Sequence, residues 1–109
     1  MKIDGKNIYI VASTFYNELS NELIDGAIQE ILHYSKDKKT KNIDSNDVLK
    51  VPGAFEIPGM VKKILDNKEP SLIITLGVII KGETNHFEQI SEFVFESISK
   101  LTVSSGVPI

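Results

Sequence analysis

The sequence predicts an α/β fold with a parallel sheet, and three observations carry that prediction. Short apolar, β-branched runs alternate with longer segments whose apolar residues recur at helical spacing. Proline and glycine stand at the joins. The order along the chain is β-α-β-α-β-α-(β), which implies parallel strands, right-handed crossovers and helices on both faces, an α/β/α sandwich.

The first strand is predicted over residues 8–12, Ile-Tyr-Ile-Val-Ala. A loop follows over 13–17, with Asn17 as a helix N-cap. Leu19, Leu23, Ile24, Ala27, Ile28, Ile31 and Leu32 then predict an amphipathic helix over 18–34. Residues 35–45 are polar and lysine-rich and read as a solvated connection. A second strand is predicted over 48–51, broken by Pro52-Gly53. Pro58 suits the first turn of a second helix, and Met60, Val61, Ile64 and Leu65 give it an apolar face. Residues 72–80 are the most apolar segment and predict a central strand, covered on both faces. Phe87, Ile90, Val94, Ile98 and Leu101 predict a third helix over 85–104, stopped near Gly106. Val107-Pro108-Ile109 reads as the start of another strand.

The 109 residues fit one domain, 1–109. A net charge of −3 provides no basic field for nucleic acid. The lack of cysteine excludes disulfides, thiolate catalysis and cysteine-ligated metal. No apolar run approaches the ~18–20 residues of a membrane span, and the N-terminus has no signal-peptide core. A cytoplasmic enzyme or binding protein is expected.

In a parallel sheet the loops after the strands share one edge, where α/β proteins place their chemistry. The first loop carries Phe15-Tyr16, either a stacking surface for a planar ligand or a cap on the core. The second, Pro52-Gly53-Ala54-Phe55-Glu56, offers amides to the edge of a heterocycle or polyol. Glu56 also fits the first turn of a helix on dipole grounds alone. The third, Lys81-Gly82-Glu83-Thr84-Asn85-His86, opens a helix whose free amides suit phosphate, with Thr84 adding a hydroxyl. Asn85 and Glu88 also have capping-box spacing. His86, in the first helical turn, either moves protons near an anionic ligand or is a surface histidine. His33 sits late in the first helix, where a histidine suits the C-terminal dipole. Two histidines from separated elements give no metal-ligand spacing, and the usual nucleotide-binding glycine signatures are missing.

Ser13-Thr14-Phe15, the string Val51-Pro52-Gly53-Ala54-Phe55-Glu56-Ile57-Pro58 and residues 77–88 together resemble the lumazine synthase family. The string Ile80-Lys81-Gly82-Glu83-Thr84-Asn85-His86-Phe87-Glu88 is nearest in motif to fungal members. The resemblance implies a flavodoxin-like fold in homopentamers, sometimes built into shells. It implies a transferase of riboflavin biosynthesis that needs no cofactor or metal. The reaction implied condenses 5-amino-6-(D-ribitylamino)uracil with 3,4-dihydroxy-2-butanone 4-phosphate to 6,7-dimethyl-8-ribityllumazine. By that resemblance Phe15 stacks on the pyrimidine, Ala54, Phe55 and Glu56 hold the uracil and ribityl groups, and Val78, Ile79 and Ile80 lie beside the ring. Glu83 and Thr84 bind phosphate and His86 transfers protons. Glu83 departs from the small residue usual in the family. Family members also continue past Val-Pro-Ile with an aromatic and an arginine that complete a site between subunits. The expectation is therefore a C-terminally incomplete member with impaired turnover. The alternative is a non-catalytic flavin- or pyrimidine-binding protein or an assembly subunit.

Overall fold

A computed structural model describes residues 7–34, 47–82 and 86–109. Three strands, β1 (Ile8–Ser13), β2 (Val48–Val51) and β3 (Leu72–Leu76), alternate with three helices, α1 (Asn17–Tyr34), α2 (Ile57–Asn67) and α3 (His86–Ser105). A short 3₁₀ turn, Ala54–Glu56, leads into α2. The connection expected over 35–45 lies outside the described residues.

Both strand pairings are parallel, and the order is β2-β1-β3. That order opens the 2-1-3-4-5 sequence of flavodoxin-like sheets. The α/β class and parallel sheet are therefore as the sequence predicts, and β1 is the middle one of the three described strands. Flanked on both sides, β1 buries every residue except Tyr9. β3 is half-covered, with only Ile73 buried.

The third strand also ends earlier than residue 80. Its ladder with β1 runs from Ile8↔Leu72 to Ala12↔Leu76. Residues 77–80 lie beyond the last pair of that ladder and outside any strand. A further strand beginning at Val107 is represented by one bond, from Ile73 N–H to Pro108 O at 3.0 Å.

Side chains alternate across a sheet. Val11 accordingly faces Ile57, Val61, Ile64, Ile73 and Val94, the main core under α2 and α3. Ile8, Ile10 and Ala12 point to the opposite face, where α1 packs. Pro58 sits in the first turn of α2, where its missing N–H costs no helical bond. Ile57, Val61 and Ile64 form the buried stripe of that helix. On its exposed side Lys62 pairs with Asp66 at 2.8 Å, worth a few tenths of a kcal/mol, about 0.3–0.5.

α3 is closed by Gly106 as the sequence predicts. Its φ is +73° and its N–H donates to Thr102 O at 3.0 Å. A Cβ there would meet nothing within 4 Å. Gly106→Ala therefore tests backbone strain alone and should lower stability by about 1 kcal/mol. A reduced urea midpoint with unchanged slope is the expected reading. An unchanged midpoint would show that the left-handed turn is not kept. No helix among the described residues is long and apolar enough to cross a membrane.

Candidate active site

The loops after β1, β2 and β3 all leave the carboxyl edge of the sheet. β1 connects to β2 on one side and abuts β3 on the other, so strand order reverses beside it. The crevice at such a point is where open α/β sheets bind ligands.

The first loop is tied down from two directions. Thr14 donates twice to the Val51 carbonyl, through N–H at 2.9 Å and through Oγ1 at 3.3 Å. Ser20, buried in the first turns of α1, donates its hydroxyl to Ser13 O. Its N–H donates to Tyr16 O at 2.9 Å. Between these anchors Phe15 is held outward, 75% exposed. The core-cap reading therefore does not apply to Phe15. Its ring meets half-buried Tyr16 edge-on, centroids 5.0 Å apart at 77°.

In the second loop Glu56 and Gly53 bond reciprocally. Gly53 O accepts from Glu56 N–H at 3.1 Å, and Glu56 Oε2 accepts from Gly53 N–H at 3.0 Å. The Glu56 carboxylate thus caps the turn at the start of α2, and the Gly53 amide is occupied by it. Ala54 is buried, while Phe55 is exposed and stacks on Phe93 of α3, centroids 4.5 Å apart at 21°.

Together these loops form a cavity of about 260 Å³. Of the residues singled out in the sequence, Phe15, Ala54, Phe55, Val78, Ile79, Ile80 and His86 line it. Glu56 does not. Glu83 and Thr84, with Asn85, lie outside the described residues. His86 is the first residue of α3. Tyr16, Gly53, Gly82, Phe87 and Ile90 complete the wall and were not among the predicted site residues. Phe87 and Ile90 sit at core-type helical spacing, and that spacing marks an inward face without distinguishing core from cavity. Tyr16 was visible beside Phe15 as the second aromatic of the loop.

The walls are mainly apolar and aromatic, with one imidazole at the mouth of a helix. Such a surface suits a flat ring flanked by polar substituents. Among the described residues no cluster of three or more histidine, aspartate or glutamate side chains could hold a metal ion.

The family model described as 6,7-dimethyl-8-ribityllumazine synthase matches residues 5–109. Curated relatives carry the same description. One from Thermococcus kodakarensis is 34% identical over 99% of this chain, and one from Limosilactobacillus reuteri is 36% identical over 98%. A third, from Desulfotalea psychrophila, is 33% identical over 100% of the chain. The chain spans 65% of the length of the first of these relatives and 66% of the second. The match takes in all three strands, all three helices and every loop of the cavity, and on that ground the chain belongs to the 6,7-dimethyl-8-ribityllumazine synthase family.

Proposed function

We propose that this chain catalyses the condensation of 5-amino-6-(D-ribitylamino)uracil with 3,4-dihydroxy-2-butanone 4-phosphate to 6,7-dimethyl-8-ribityllumazine. The observation that carries the reading is the single cavity into which Phe15, Ala54, Phe55, Val78–Ile80 and His86 converge. Phe15 offers its face to the pyrimidine, and the 78–80 segment forms the opposing apolar wall. Ala54 and Phe55 border the ribityl side, with Glu56 in the same turn. Glu83 and Thr84, immediately before α3, are assigned to the phosphate, where free helix N–H groups favour an anion.

The chemistry needs positioning and proton transfer. The primary aryl amine condenses with the ketone carbon with loss of one water, the neighbouring carbon gives up its proton as phosphate leaves, and the ribitylamine closes the ring on the resulting carbonyl with loss of a second water. The amines give up protons as their bonds to carbon form, the carbon beside the imine gives up another as phosphate departs, and the leaving oxygens take protons to depart as water and phosphate. His86 takes and returns those protons, a role supported by its position in the cavity wall. Holding both substrates in register supplies the rest of the acceleration.

Incubating the chain with both substrates and following the visible absorbance of the lumazine tests the reading directly. Product formation above the uncatalysed rate is expected, and its absence at high protein concentration rejects it. Phe15→Ala should weaken ribitylaminouracil binding by roughly 10–100-fold, the usual worth of one ring stacked on one base. Titration calorimetry measures this, and unchanged affinity would remove Phe15 from the binding surface.

The same reading makes the chain a cytoplasmic homo-oligomer, a pentamer or a pentamer-based shell. Family membership supports it, together with exposed Phe95 and Val103 on α3. Light scattering would reject it by finding a strict monomer.

A further inference from the structure

Gly77 follows directly after β3. Among the described glycines only Gly106 has positive φ, so Gly77 does not need glycine for its backbone angles. It needs the space. A Cβ at this position would lie 3.0 Å from Ile57 Cδ1, 3.4 Å from Ala54 Cβ and 3.8 Å from Ser13 Oγ. Those atoms belong to the start of α2, the second loop and the end of β1. By contrast, a Cβ at Gly26, Gly59 or Gly82 meets nothing within 4 Å.

Carbon atoms in contact settle about 3.5–4.0 Å apart, so Ile57 Cδ1 would have to retreat. Ile57 is 2% exposed and packed in the main core, which resists such movement. The next atom in the path is Ala54 Cβ, at 3.4 Å, in the cavity wall. We propose that Gly77 is a positioning residue of the cavity: lacking a side chain, it sets the spacing between the Ala54–Phe55 wall and the 78–80 wall. The geometry stands by itself, and only the choice of ligand below rests on the proposed function.

The test uses Gly77→Ala, Ile57→Val and the double variant, each in the full chain. Ile57→Val deletes Cδ1, the atom that the new methyl group meets. Amide hydrogen exchange in ligand-free protein is the first measurement. Exchange at Glu56 and Ile57, whose N–H groups donate to Gly53 O and Ala54 O, should rise about 10-fold in Gly77→Ala and return close to wild type in the double variant. Calorimetry with ribitylaminouracil is the second. Affinity should fall about 10-fold in Gly77→Ala and be largely restored by Ile57→Val. A merely structural role would lower overall stability without confining the change to this turn, and a second core substitution would add to the damage. Wild-type exchange in Gly77→Ala, or a double variant no better than the single, overturns the proposal. Should Gly77→Ala fail to fold, the double variant decides: wild-type exchange supports the proposal, and equal failure overturns it. Should the wild type bind no ribitylaminouracil, the proposed function falls, and the exchange measurements still decide the role of Gly77.

Discussion

Ile73→Ala should lower the unfolding free energy by about 3–4 kcal/mol, the typical cost of emptying a fully packed isoleucine site. Ile73 is 0% exposed and faces Val11, Ile57, Val61 and Val94. Its main chain pairs with Tyr9 of β1 and donates to Pro108 O at 3.0 Å, so the backbone cannot readily move to fill the void. Domains of this size hold about 5–15 kcal/mol in total, and the variant should stand near the limit of folding. Urea unfolding should show a midpoint lower by roughly 1–3 M at unchanged slope. Ile73→Val, which removes one methyl group, should cost only about 1 kcal/mol. An alanine variant within 1 kcal/mol of wild type, at about the precision of the method, would mean that β3 does not present Ile73 to the core.

His86→Gln should reduce kcat by about 10²–10⁴-fold with KM changed only a few-fold. Glutamine keeps hydrogen-bonding capacity and approximate size but cannot carry a proton between reacting atoms. His86 is exposed at the first residue of α3, so stability should not change, which separates this variant from a folding defect. Steady-state kinetics by lumazine absorbance, with a melting curve as control, measures both. A variant turning over within about 3-fold of wild type, far less than general acid–base catalysis contributes, would remove His86 from proton transfer.

The elements legible in the sequence are those whose residues carry their own physical reason. Ile8–Ala12 is apolar and β-branched, Pro58 marks a helix start, and Gly106 closes α3 with a left-handed turn. The third strand was legible in place but neither in length nor in the extent of its burial. Hydrophobicity reports burial and not backbone pairing. Ile79 packs against the core while lining the cavity, and Ile80 lines it too, so both are apolar without being in the ladder. The case of Glu56 is similar. A carboxylate at a helix start was compatible with ligand contact and with capping, and only its bond to Gly53 N–H shows which the free chain adopts. Phe15, Ala54 and His86 could be found because loops at one sheet edge seldom need an outward ring, a small residue and an imidazole together. Phe87 and Ile90 share their helical stripe with core residues and could not be told from them.

The β2-β1-β3 order has a consequence for how the chain is made. Ile10 must wait for Val48, and Ile8 for Leu72, before either side of β1 has a partner. Closing such long loops precedes any gain from pairing, which slows folding relative to a hairpin of the same size. On the ribosome the sheet's most buried strand is therefore synthesised before either of its partners. Until β2 emerges, Ile-Tyr-Ile-Val-Ala is an unpaired, uncharged, β-prone stretch of the kind that associates between nascent chains, and until β3 emerges one of its edges stays open. Yield on expression should accordingly depend on translation rate and chaperone supply more than the finished fold's stability would suggest.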